Sequence, residues 1–121
     1  MLFRVYSAAV FGIQAYPVSV EVDLSSGQKL NLMMVGLPDT AVRESSERIK
    51  AALRNCGFTL PARHITINLA PANLKKEGSA FDLPMAVGIL GASGCVPREN
   101  LTGCLLMGEL SLDGIVLTCL T

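Results

Sequence analysis

Two lysines and a serine occur within five consecutive positions of one polar segment, just before a long apolar run. They are Lys75, Lys76 and Ser79. A lysine removed from water has a lowered pKa and can take the proton of a serine hydroxyl, which makes the serine a nucleophile. This chemistry makes Ser79 a candidate catalytic residue. Lysine ammonium groups beside the start of a helix also suit phosphate, which predicts anion binding instead.

The apolar run predicts a buried helix. Every residue from Leu83 to Leu90 is apolar or glycine, Asp82 is a good N-cap, and Pro84 suits the first helical turn. A helix that is apolar on all sides must be surrounded by core. Its N-terminus carries free backbone N–H groups and the positive end of the helix dipole. The polar segment is therefore predicted to be an anion site, an active-site loop or an interface at the edge of the core.

Two further basic residues extend the phosphate-binding hypothesis. Arg63 and His64 precede a predicted strand and Lys75 and Lys76 follow it, so we expect the four to form one basic rim that binds the phosphate of DNA or of a nucleotide. The alternative is an exposed, solvated loop. Ten basic and ten acidic side chains give no net charge, so charge indicates no strong nonspecific attraction to nucleic acid.

The sequence indicates no metal site, no cofactor and no membrane span in this chain. Its cysteines are far apart and it has one histidine, so the short spacing of zinc ligands is missing. It contains no P-loop motif for ATP, no apolar run long enough for a bilayer and no signal peptide. We therefore expect a cytoplasmic protein. The cysteines are Cys56, Cys95, Cys104 and Cys119.

Alternation of apolar and polar residues predicts strands at 3–10, 18–24, 30–34 and 65–69. The turn residues between the second and third of these strands favour an antiparallel hairpin. Asp113-Gly114 predicts another hairpin, with a two-residue turn, near the end of the chain.

Helical spacing predicts a second helix, which Asp39 caps and Gly57 ends. Its outer face is predicted to carry the Glu44–Arg48 pair. The resulting order, β-β-β-α-β-α-β-β, predicts one α/β domain over residues 1–121, with two helices packed on one face of a sheet. The inward positions of the second helix are Val42, Ile49, Leu53 and Cys56.

Four ordered motifs resemble those of the magnesium-chelatase-like bacterial family that includes ComM and YifB. They are Val-Gly-Leu-Pro-Asp-Thr-Ala-Val-Arg-Glu-Ser at 35–45, Ile-Asn-Leu-Ala-Pro at 67–71, Lys-Glu-Gly with Phe-Asp-Leu-Pro at 76–84, and Gly-Glu-Leu-Ser-Leu-Asp-Gly at 108–114. The resemblance covers nearly the whole chain except its last seven residues.

The resemblance implies the N-terminal domain of a longer AAA+ ATPase. The implied fold is of the α+β two-layer type with a mixed sheet, as in the proteolytic domain of Lon protease, the C-terminal domain of RadA and the second domain of ribosomal protein S-five. It also implies a hexameric ring and a DNA-associated motor, such as a branch-migration helicase of natural transformation. ATP and Mg²⁺ would bind the ATPase module, outside this chain.

The likeness to Lon also implies a peptidase whose catalytic serine pairs with a lysine, and Ser79 lies near the matching position, but the residues disfavour this interpretation. Placing Lys76 on the matching lysine of Lon puts Ala80 at the nucleophile position and Ser79 one residue early, a rotation of about 100° on a helix. No lysine follows Lys76, whereas the general base of Lon lies downstream of its serine. We therefore expect a non-catalytic accessory domain for ring assembly or DNA engagement. A Ser-Lys peptidase-like domain and a purely structural domain are the alternatives.

Overall fold

The computed structural model describes residues 2–72, 74, 76, 79–114 and 116–117. Its strands and α-helices follow the predicted order, and the predicted α+β class is confirmed. The elements are β1 Leu2–Phe11, β2 Gln14–Ser25, β3 Asn31–Val35, α1 Asp39–Asn55, β4 His64–Ala70, α2 Asp82–Ala92, β5 Glu109–Leu110 and β6 Val116–Leu117, with 3₁₀ turns at Ser79–Phe81 and Arg98–Leu101.

The main sheet is mixed, with strand order β1-β2-β4-β3. β4 is antiparallel to β2 and parallel to β3, so the predicted hairpin between β2 and β3 is wrong. The two strands do run in opposite directions, but β4 lies between them. Ile65, Ile67 and Leu69 of β4 are completely buried, and the position between two neighbouring strands gives them that burial.

One face of this sheet packs against the helices, as predicted. Burial alternates along β1, β2 and β4, and the buried residues of neighbouring strands are in register, for example Phe3 with Val22. A Cβ added at Gly91 would lie 2.3 Å from the ring of Phe3, and one at Gly88 would lie 2.5 Å from Val22. These two glycines therefore let α2 approach the sheet closely.

The predicted boundaries of α1 are nearly correct, but its cap and inward face differ. Pro38 is the N-cap residue and no side-chain cap bond forms, so the capping role predicted for Asp39 is wrong. Of the predicted inward positions Val42 is only half-buried and Cys56 is exposed. Gly57 follows the helix with a φ of +89°, as expected for a residue that ends a helix.

The hairpin near the end of the chain is present with a longer turn than predicted. β5 and β6 are antiparallel, and Leu110 pairs with Val116, so their connection is longer than two residues. Gly114 adopts a φ of +89°, and a Cβ there would lie 2.1 Å from the Cys56 Sγ. The turn is therefore packed against the end of α1. Within the described ranges, no helix is both long and apolar enough to cross a membrane.

Candidate functional site

One ammonium group is buried between β4 and α2. Lys76 is 2% exposed, and its Nζ donates hydrogen bonds of 2.7 Å to the carbonyl oxygens of Pro71 and Leu74. Burial lowers the pKa of this ammonium, because the charged form loses more hydration than the neutral form. Lys76 is therefore buried rather than exposed as the rim would require, and phosphate binding by Lys76 stays a prediction.

The other residues of the expected rim do not gather around this loop. Arg63 and His64 lie at the start of β4 and Lys76 lies beyond its end, so about 20 Å of strand separates them. The structure does not bring these three residues together, so their shared role in binding phosphate stays a prediction, and Lys75 lies outside the described residues. At the far end of β4, the Nδ1 of His64 is 2.9 Å from the Nδ2 of Asn31. Phosphate binding there stays a prediction.

A buried carboxylate joins the two helices at the start of α2. Asp82 is completely buried, and its Oδ2 accepts a hydrogen bond of 2.5 Å from the Nε of Arg48. Its Oδ1 accepts bonds from the Oγ of Ser45 at 2.8 Å and from the Nη2 of Arg48 at 3.3 Å. The Nη2 also donates to the Ser45 Oγ at 3.1 Å. We call these three residues the helix-joining cluster.

The electrostatics of this cluster explain why the predicted capping role of Asp82 is wrong. Hydrogen bonding to Asp82, together with its negative charge, raises the pKa of Arg48. Phe81 is the N-cap residue of α2, and no side-chain cap bond forms. A buried carboxylate needs a cation and hydrogen-bond donors, and the carboxylate of Asp82 finds both on α1 rather than on its own helix.

Ser79 faces a carboxylate rather than a lysine. Its Oγ donates a hydrogen bond to the Oε1 of Glu109, while the Lys76 ammonium bonds to carbonyl oxygens. The Ser79 hydroxyl and the Lys76 ammonium are therefore not hydrogen-bonded to each other. The pairing required by a Ser-Lys mechanism is not formed within the described part of the chain, and a catalytic role of Ser79 stays a prediction.

The segment that leads into β5 closes the start of α2. The Leu83 N–H donates to the Gly108 carbonyl at 3.1 Å, and the Gly108 N–H donates to the Ala80 carbonyl at 2.9 Å. Protein groups thus occupy part of the space where the sequence predicted an anion. Among the described residues, no group of three or more His, Cys, Asp or Glu side chains could hold a metal ion. The arrangement is a bonded junction of α1, α2 and the β5 segment.

Sequence reasoning did not find two members of the helix-joining cluster. It placed Arg48 on the solvated face of α1 with Glu44, but these two side chains are 3.9 Å apart, farther than the contacts of Arg48 to Asp82. Ser45 lies four residues before Ile49, on the same helix face. A hydroxyl on that predicted inward stripe was the signal that could have indicated a buried polar contact.

Comparisons with known proteins agree with the four motifs. The family model described as subunit ChlI of Mg-chelatase matches residues 20–120, and the chain belongs to this family. YifB of Salmonella typhimurium is 47% identical over 110 residues, which are 91% of this chain and 22% of that protein. Competence protein ComM of Haemophilus influenzae is 48% identical over 110 residues, 91% of this chain and 21% of ComM.

A mycobacterial relative shows the same relation of lengths. Rv2897c of Mycobacterium tuberculosis is 44% identical over 115 residues, which are 95% of this chain and 23% of that protein. The chain thus spans about a fifth of the length of the curated relatives it matches.

Proposed function

We propose that the chain is a non-catalytic accessory domain, at the N-terminus of a longer Mg-chelatase-like AAA+ ATPase, and that it contributes to assembly of a hexameric ring. The observation that carries this proposal is the internal pairing of the reactive groups at the site. The Lys76 ammonium, the Asp82 carboxylate and the Ser79 hydroxyl each bond to protein groups. In this proposal the rest of the protein binds ATP and Mg²⁺ in the cytoplasm and carries the motor activity.

An exposed apolar surface supports a role in assembly. The β1–β2 hairpin extends beyond β4, which pairs with β2 only from Ser19 onward. Its end, which we call the hairpin tip, presents large apolar side chains to solvent, and the ring centroids of Phe11 and Tyr16 are 5.6 Å apart. Clustered exposed apolar side chains favour contact with another protein surface. The hairpin tip consists of Val10, Phe11, Ile13 and Tyr16.

Ring assembly can be tested with one substitution at the hairpin tip. Ile13 is fully exposed, so Ile13→Asp should leave the fold intact while placing a charge in the proposed contact. We expect mass photometry of the longer protein to show fewer rings for Ile13→Asp than for the control Ser26→Asp, which adds the same charge at the other end of β2. Equal ring populations in the two variants would contradict the proposal.

DNA engagement is a second candidate, favoured by the far end of β4. Lys29 and Arg63 are exposed in neighbouring loops there, and the Asn31 N–H donates to the Arg63 carbonyl at 3.1 Å. Cations grouped on one surface suit the phosphate backbone. The test is fluorescence anisotropy with single-stranded, duplex and four-way-junction DNA at two salt concentrations.

The variants for that test are matched in charge. If this end binds DNA, Arg63→Gln should weaken binding and lower the salt dependence by about one counterion. Arg43→Gln, an exposed change on α1, should alter neither quantity. Equal losses in both variants, or no binding to any DNA, would leave assembly as the function of the domain.

The peptidase alternative has its own test. A Ser-Lys enzyme would hydrolyse a peptide substrate and lose that activity in Ser79→Ala. We expect the unaltered chain and Ser79→Ala to give the same background rate.

A further inference from the structure

The outer edge of β1 is covered at two points and open between them. β1 is an edge strand of the main sheet. The Leu2 carbonyl accepts a hydrogen bond of 2.9 Å from the Nη2 of Arg98, and the Tyr6 carbonyl accepts one of 2.9 Å from the Leu106 N–H. Both partners belong to the segment that follows α2.

The orientation of these two carbonyls fixes the direction of the backbone N–H and C=O groups of Arg4, which lies midway between Leu2 and Tyr6. Along an antiparallel strand, successive residues direct their N–H and C=O groups to alternate sides. Because Leu2 and Tyr6 direct their carbonyls away from β2, the N–H and C=O of Arg4 also point to the free edge. In the described part of the chain, no backbone group outside the sheet bonds to Arg4. Arg4 therefore offers one unpaired donor and one unpaired acceptor.

A groove of about 330 Å³ lies at this opening. Its cations are the guanidinium groups of Arg4 and Arg98, and both are held in place. Arg4 bonds to Glu21 at 2.9 Å, and the guanidinium of Arg98 stacks over the ring of Phe3, 5.3 Å from its centroid. Among the described residues that line the groove, none carries a carboxylate. Its apolar walls include Leu2, Tyr6, Leu101 and Leu106.

We propose that this groove binds an extended acidic peptide segment of another protein, which adds to the free edge of β1 and pairs with the backbone of Arg4. Strand addition to an open edge uses main-chain hydrogen bonds for affinity and side-chain pockets for specificity. The peptide carboxylate would bind Arg98, whose guanidinium has five N–H donors and gives one to Leu2. Apolar side chains of the peptide would contact the walls. This site is separate from the hairpin tip and from the far end of β4.

The probe for this proposal is a fluorescein-labelled peptide of alternating valine and glutamate, five residues long, with blocked termini. Its anisotropy should rise with the 121-residue chain. Arg98→Gln should weaken binding by about tenfold or more, as expected for loss of a charge-assisted hydrogen bond, whereas the exposed control Arg43→Gln should leave binding unchanged. The matching valine–lysine peptide should not bind.

A second measurement separates backbone pairing from simple charge attraction. A valine–glutamate peptide with N-methylated central residues cannot donate main-chain hydrogen bonds from those residues and should fail to bind, and the amide resonance of Arg4 should shift only with the unmodified peptide. Equal binding of the N-methylated or the lysine peptide would overturn the proposal. So would an unshifted Arg4 amide, no binding of the unmodified peptide, or displacement of that peptide by single-stranded DNA.

Discussion

Replacing Arg48 with methionine should destabilise the domain strongly, because it removes the only cation that bonds to Asp82 among the described residues. Among the described residues, the carboxylate of Asp82 would keep only Ser45 as a hydrogen-bond partner. Breaking a buried ion pair by removing one partner costs about 3–5 kcal/mol. We take the lower end, about 3 kcal/mol, because the side chain of Arg48 is 27% exposed and water can partly replace it.

That magnitude converts into a large thermal shift. An unfolding entropy of about 2.1 cal/mol/K per residue gives about 0.25 kcal/mol/K for 121 residues, so 3 kcal/mol lowers the Tm by about 12 °C. Urea and thermal unfolding followed by far-UV circular dichroism measure both quantities. The control is Arg43→Met, an exposed change on the same helix, which should stay within about 0.5 kcal/mol.

A double variant tests the physical reason for the loss. Arg48→Met combined with Asp82→Leu removes both charges, and we expect it to be more stable than Arg48→Met alone because no unpaired buried charge is left. A loss below about 1 kcal/mol for Arg48→Met, or a double variant less stable than the single one, would refute the role assigned to the helix-joining cluster.

Two further predictions concern the sheet. Gly91→Ala should lower the free energy of unfolding, measured in urea, by about 1 kcal/mol or more, because its Cβ would lie 2.3 Å from the Phe3 ring. The better helix propensity of alanine would not offset this clash. An unchanged free energy of unfolding would contradict close packing of α2 on the sheet. Hydrogen bonds from Arg4 and Asn68 lower the pKa of Glu21 below its ordinary value of 4.5. The stability from this shift is therefore present above pH 4.5 and is lost as the pH falls through the folded-state pKa of Glu21. Unfolding measured from about pH 5 downward should show that Glu21→Gln loses less stability than the unaltered chain. Equal losses of stability in the two proteins would contradict this assignment.

Local patterns predicted the elements well because each depends on nearby residues. The alternation in 65–69 and the position of Gly57 reflect the two-residue period of strands and the preference of helix ends for glycine. Strand pairing depends on residues far apart in the chain. The short loop after β2 suggested a hairpin, yet β4 enters between β2 and β3, and no pattern within 18–34 contains that information.

The site was harder to predict because one residue type serves several physical roles. An aspartate at the start of a helix is usually read as a cap, but Asp82 is bonded to α1. A lysine in a polar loop is usually solvated, but Lys76 is buried with two carbonyl partners. Only the tertiary structure decides which groups each of these charges meets.

Hydrogen–deuterium exchange of the longer protein, compared between its monomeric and ring forms, tests the central claim most directly. If the domain contributes to ring assembly through the hairpin tip, the amides of residues 10–16 should exchange more slowly in the ring, while the loop at 26–29 should be unchanged. Equal exchange of residues 10–16 in the two forms would contradict a role of this surface in assembly.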